Sequence, residues 1–175
     1  MTTTQGTVTA IGAIVVFWIV GAYNRLVRLR TELAARFGAV DERYGQRQAL
    51  LESQLALLST ALAAAAPRLE ALRAACRQAD AAREHARARP GAASIVTSLR
   101  VAEDIVADAR SRLPVQSVAG TDLPDLNARL ATSDTALAFA RADFNAAVAA
   151  YNEAVGEFPT FLVARLFNFR AAAVF

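Results

Sequence analysis

A chain of 175 residues and 18.6 kDa has room for one domain with its own core plus a membrane segment, and is too short for two. Hydrophobic residues make up 55% and there are only 8 Gly and 5 Pro, an alanine-rich balance that points to an all-α chain. Every basic residue is Arg and the net charge is +3, too small an excess to argue for nucleic acid, while the single Cys76 and single His85 exclude an internal disulfide and a thiolate–imidazole zinc site.

Residues 1–6 form a short tail without a basic side chain. From Val8 to Tyr23 the chain is uninterruptedly apolar, and counting Thr7 and the aliphatic stem of Arg25 brings it to about the 17–20 residues a span needs. We therefore expect a transmembrane helix over residues 7–24, the alternative being a buried core helix. A cleaved signal peptide fits poorly, because no basic region precedes the run and Tyr23-Asn24-Arg25 stands where small residues would be needed. Arg25, Arg28, Arg30 and Arg36 follow at once, so the positive-inside rule places the N-terminus outside and the remainder in the cytoplasm.

Beyond the span, Leu33, Phe37, Val40, Tyr44, Leu51, Leu55, Leu58 and Leu62 recur at three- and four-residue spacing, which predicts a helix running straight out of the bilayer to about Ala66. Pro67 must kink it or start the next. Leu69, Leu72, Cys76 and Ala79 mark a second helix that Arg89-Pro90-Gly91 ends. A third is predicted from a Ser94 cap to about Arg112, with Ile95, Leu99, Ala102 and Val106 inward. Leu113 to Pro124 reads as a loop. The last long helix runs from about Leu126 to Glu157 behind Asp122 or Asp125. Within it Phe144-Asn145, Tyr151-Asn152 and Phe158-Pro159 recur seven residues apart, a stripe that favours a left-handed bundle. Tyr23-Asn24 with Val27 repeats the pattern near the other end, so both ends of the chain are expected to share one core. The expected architecture is a bundle over residues 25–158 of about four antiparallel helices, closed by a short helix over 159–175.

These residues carry a resemblance. Leu130, Asp134, Leu137, Arg141, Phe144-Asn145, Val148, Tyr151-Asn152, Val155, Phe158-Pro159, Phe167, Phe169 and Phe175 follow in register the signature of the LemA family of bacterial membrane proteins, with Phe144 where a Tyr is usual and Asp134 where a Glu is usual. Tyr23-Asn24, Val27, Arg30, Phe37 and Asp41 match a shorter N-terminal part. The chain departs at Ala49–Ser53, which lacks the family's Pro and Asn, and from about Arg77 to Pro124 it resembles the family only loosely. The resemblance implies one N-terminal span, a soluble helical bundle, no established enzymatic activity and a frequent genomic neighbourhood with membrane zinc proteases.

Among candidate sites, Asn24, Asn145 and Asn152 each follow an aromatic residue, and a buried Asn can pin helix register; a ligand or partner contact is the alternative. Tyr23 and Tyr151 are expected to donate a hydroxyl hydrogen bond at the core edge. Arg25, Arg28, Arg30, Arg36, Arg165 and Arg170 are candidates for lipid-headgroup contacts or simply set topology. Arg141 is expected to pair with Asp41, Asp134 or Asp143. No phosphate loop, nucleophile elbow or zinc-protease motif occurs, and one His excludes the paired Glu-x-x-His of di-metal bundles, so no catalytic, cofactor or metal residue is assigned. The function expected is a membrane-anchored, non-enzymatic scaffold or interaction protein, a homo-oligomer or the partner of a membrane zinc protease. The alternative is a lipid-binding or membrane-shaping bundle.

Overall fold

The computed structural model describes residues 3–61, 65–113 and 122–175. It is built from α1 (Thr3–Ala61), α2 (Ala66–Ala88), α3 (Ala93–Ser111), α4 (Leu123–Gly156) and α5 (Thr160–Leu166), with no strand among the described residues. At 1.5 Å per residue, α1 is about 90 Å long. Its first third and its last two thirds have different surroundings. Ile11, Ile14, Val16 and Phe17 stand 56–78% exposed, and 6% of the most apolar 18-residue stretch, of mean hydropathy 1.9, is buried. This is one segment long and apolar enough to cross a membrane. From Ala22 onward a stripe is buried, and Leu26, Leu33, Phe37, Val40, Tyr44, Leu51, Leu55 and Leu58 all lie inside.

That stripe seats the other helices. Arg25 faces Glu157, Arg47 faces Asp134 and Gln54 faces Asn127, so α4 lies antiparallel along α1. Asp41 bonds Arg87 from α2, and Arg110 from α3 bonds Asp134, which makes an up-and-down arrangement of four helices. Leu99, Leu72, Leu130, Phe144 and Val148 are all but fully buried, each such side chain contributing roughly 1.5–3 kcal/mol. Pro67 begins α2 in its first turn, where the missing N–H costs nothing. Leu62 and most of the predicted 113–124 loop lie outside the described residues.

Three expectations are corrected. Ser94 does not cap α3: the helix starts at Ala93, and the carbonyl of Ala92 accepts the N–H groups of Ile95 and Val96. Phe158 leaves the heptad stripe, because α4 stops at Gly156, and its ring stands 75% exposed. The segment after Pro159 is helical only to Leu166. Asn168 then adopts φ +57, the Phe169 N–H bonds the Ala164 carbonyl (2.8 Å) and the Asn168 N–H bonds the Arg165 carbonyl (3.4 Å), a Schellman stop that releases the remaining chain as an extended strap.

Candidate functional site

The strap closes the bundle, and the asparagines hold it. Asn152 bonds Ala172 in both directions, its Nδ2 donating to the carbonyl (2.9 Å) and its Oδ1 accepting from the N–H (2.8 Å). Asn145 does the same for Phe175, at 3.4 and 2.9 Å. Each carboxamide thus replaces a neighbouring strand. Spacing explains the match: seven residues of α4 rise about 10.5 Å, and three extended residues cover about 10 Å. The heptad seen in the sequence therefore fixes the register of strap against helix, where helix against helix was expected. Gly91, at φ +84, adds a third tie by accepting the Ala173 N–H at 2.9 Å. A Cβ there would meet the Ala172 methyl at 2.9 Å, so this turn needs glycine twice over. Replacing Asn152 by Ala strands both backbone groups of Ala172, which costs about 1–3 kcal/mol. The expected result is at least about tenfold faster amide exchange at Ala172 and Ala173 with α2 unaffected.

Beneath the strap the Phe175 ring sits 5.3 Å from Phe144 and 6.4 Å from Phe37, and Phe37 meets Phe144 edge-on at 5.8 Å. Arg141 covers this cluster, its guanidinium 5.4 Å from the Phe175 ring centroid. It pairs with none of the three aspartates expected. Its partners are Glu103 (3.6 Å) and the Tyr44 hydroxyl, to which Nε donates at 3.1 Å. Glu103, from the middle of α3, also bonds Arg47, and both side chains are largely buried. Arg47 reaches Asp134 at 3.8 Å, and Arg110 bonds that carboxylate at 2.8 Å. Burial, with the charge of Glu103 beside it, pushes the Tyr44 phenol up to about 12, so it stays a neutral hydroxyl between Arg47, Arg141 and Glu103.

The remaining predicted residues are spread over the end from which the apolar segment projects. Ala22 and Leu26, rather than Tyr23 and Val27, enter the shared core with Ala154, Val163 and Ala164. Tyr23 is 39% exposed and lies against Phe167 (4.9 Å) and Phe169 (5.8 Å); Asn24 is exposed. Arg25 bonds Glu157 at 3.1 Å and Arg36 is near Glu32 at 3.6 Å, so two of the six arginines expected at headgroups carry a carboxylate already. Arg28, Arg30, Arg165 and Arg170 are exposed. Tyr151 is 4% exposed, and its hydroxyl has no hydrogen-bond partner among the described residues. Sequence reasoning read Gly91 only as part of the stop after the second helix, and passed over Glu103, Arg47 and Asn168. Of these three Asn168 alone had a signal, an Asn just past an apolar helix.

The bundle with its aromatic-Asn heptad and extended tail coincides with the stretch, residues 36–175, that matches the model of the LemA family. The chain belongs to the LemA family. The LemA match covers α1 from Arg36, the other three long helices, α5 and the strap, while the exposed apolar part of α1 and its buried Ala22, Leu26 and Leu33 stand outside it. Comparisons with curated proteins and with solved structures returned no match.

Proposed function

We propose that this LemA protein is a membrane-anchored, non-enzymatic scaffold, in which α1 crosses the bacterial inner membrane and presents the bundle to a membrane-protein partner on the cytoplasmic side. One observation carries this reading. The exposed apolar segment and the core stripe belong to a single helix, so tether and bundle form one rod with no linker between them. A rigid tether fixes the height and rotation of the bundle above a bilayer, which suits positioning of a partner. The inward titratable side chains Arg47, Glu103 and Arg141 serve each other, which supports a structural use of them. A membrane zinc protease is the first partner to test, on the family resemblance, and a second copy of the chain the next.

A second reading, binding to the lipid surface itself, is favoured by α5 and its flanks. Phe158, Leu166, Leu162 and Phe167 are 48–75% exposed at the end where the apolar segment emerges. Photo-crosslinkers placed in living cells at Arg43 and Arg129, along the exposed α1–α4 groove, and at Leu166 separate the two. The scaffold reading expects one discrete protein adduct at the groove positions, protected from protease added outside. Adducts confined to lipid at Leu166 favour the second reading, and cleavage of the bundle from outside contradicts the orientation.

A further inference from the structure

Between α1, the α2–α3 turn and the strap lies a cleft of about 550 Å³, lined by Arg30, Arg89, Arg170, Tyr151 and Ser94. Its charge is unbalanced. Other exposed arginines such as Arg77 and Arg129 also lack an ion pair, but here three line one space bordered by no acidic side chain, while Arg47, Arg83, Arg87, Arg110 and Arg141 each meet a carboxylate. Among the described residues none of the three cleft arginines does, and the Arg170 guanidinium meets only the Asn168 side-chain oxygen at 3.3 Å. Tyr151 supplies an independent sign. Only 4% of the residue is exposed, yet its hydroxyl borders the cleft, is reached by solvent and has no protein partner among the described residues. It is therefore free to donate a hydrogen bond to a ligand there. The N-terminus of α3, which has no side-chain cap, borders the same space at Ser94 and adds its positive end.

Three guanidinium forks and a phenol are donors only toward an anion, and planar forks match tetrahedral oxyanions. The volume exceeds what a bare ion fills and suits a phosphate with an organic body. We propose that this cleft binds the phosphate group of an anionic phosphate ester, with Arg30, Arg89 and Arg170 holding the oxygens and the Tyr151 hydroxyl fixing one of them. The strap builds one wall through Arg170 and Ala172, so the asparagine ties also shape the site. Two sources share this chemistry, a soluble phosphate ester and a phospholipid headgroup. Arg30 lies about 9 Å along the helix past Asn24, within side-chain reach of a headgroup layer. The lipid source rests on the membrane reading above, and the soluble one does not.

The test uses the full chain in phosphatidylcholine nanodiscs, titrated with inorganic phosphate by calorimetry. In parallel, phosphatidylglycerol retained per chain is counted by mass spectrometry after extraction from mixed bilayers. Arg89→Gln and Tyr151→Phe are compared with Arg165→Gln, which removes the same charge from α5 outside the cleft. Saturable phosphate binding weakened about tenfold by Arg89→Gln, and at least about threefold by Tyr151→Phe, with Arg165→Gln unchanged, supports the site with a soluble ligand. The same ranking in retained phosphatidylglycerol, without phosphate binding, supports it with a lipid. Absence of both, or an Arg165→Gln effect equal to that of Arg89→Gln, overturns the proposal. Tyr151→Phe and Arg170→Gln carry the test if Arg89→Gln loses its helical circular dichroism.

Discussion

Phe144→Ala is expected to lower the stability of the bundle by about 3–5 kcal/mol. The residue is fully buried, and its ring is the floor on which Phe37 and Phe175 both rest. Removing it opens a hole where α1, α4 and the strap meet, and these three cannot close together, because the strap is held to α4 at Asn145, the next residue, and again at Asn152 two turns further on. Part of the loss therefore falls on the strap. Native-state hydrogen exchange of the full chain in micelles should show faster opening of α1 and α4 around this level and the largest change at Phe175. A fall below about 1 kcal/mol would mean that the aromatic cluster is not the junction of the core.

Glu103→Ala is expected to cost a similar amount for an electrostatic reason. The carboxylate is shared by Arg47 and Arg141, and the side chains of Glu103 and Arg47 are 8% and 13% exposed. Deleting it leaves a desolvated guanidinium without its charge partner, which costs about 3–5 kcal/mol in comparable buried pairs. Arg47 retains only Asp134, at 3.8 Å. The double substitution Glu103→Leu with Arg47→Met should recover most of the loss, since replacing both ions by apolar groups removes the desolvation cost as well as the attraction. Recovery of nothing would show that the pair is favourable in its own right. The same hydrogen-exchange measurement reads both variants.

Periodicity made most of the fold legible. The stripe Leu33, Phe37, Val40, Tyr44 in α1 and Leu130, Leu137, Phe144, Val148 in α4 are inside as the three-and-four spacing predicts, because an amphipathic helix has one apolar face to bury. The heptad asparagines were legible as polar ties, but their partner was not. Nothing in Asn145 or Asn152 says that a strap 20–30 residues later will offer backbone groups at matching intervals. Phe158 shows the opposite limit. It continues the heptad in sequence, but the helix ends two residues earlier and periodicity loses its meaning there. The ion pairs around Glu103 were hidden for a third reason. Many carboxylates and arginines have compatible spacing, and only the placing of α3 beside α1 and α4 selects Glu103 for Arg141 over Asp41, Asp134 and Asp143. The arginine cleft is likewise assembled from Arg30, Arg89 and Arg170, far apart in the chain.

In the proposed function one helix both crosses a bilayer and forms the spine of the bundle. The most direct measurement of that arrangement is a spin-label scan along α1 from Val8 to Tyr44 in liposomes, comparing collision with oxygen, which favours lipid, and with a polar nickel complex. Oxygen-dominated exposure is expected on every face from Val8 to Val20. A change to 3.6-residue periodicity should follow from Ala22, with Leu26, Leu33, Phe37 and Val40 shielded from both reagents. Nickel access across Val8 to Val20, or loss of helical periodicity between Gly21 and Arg30, would contradict it.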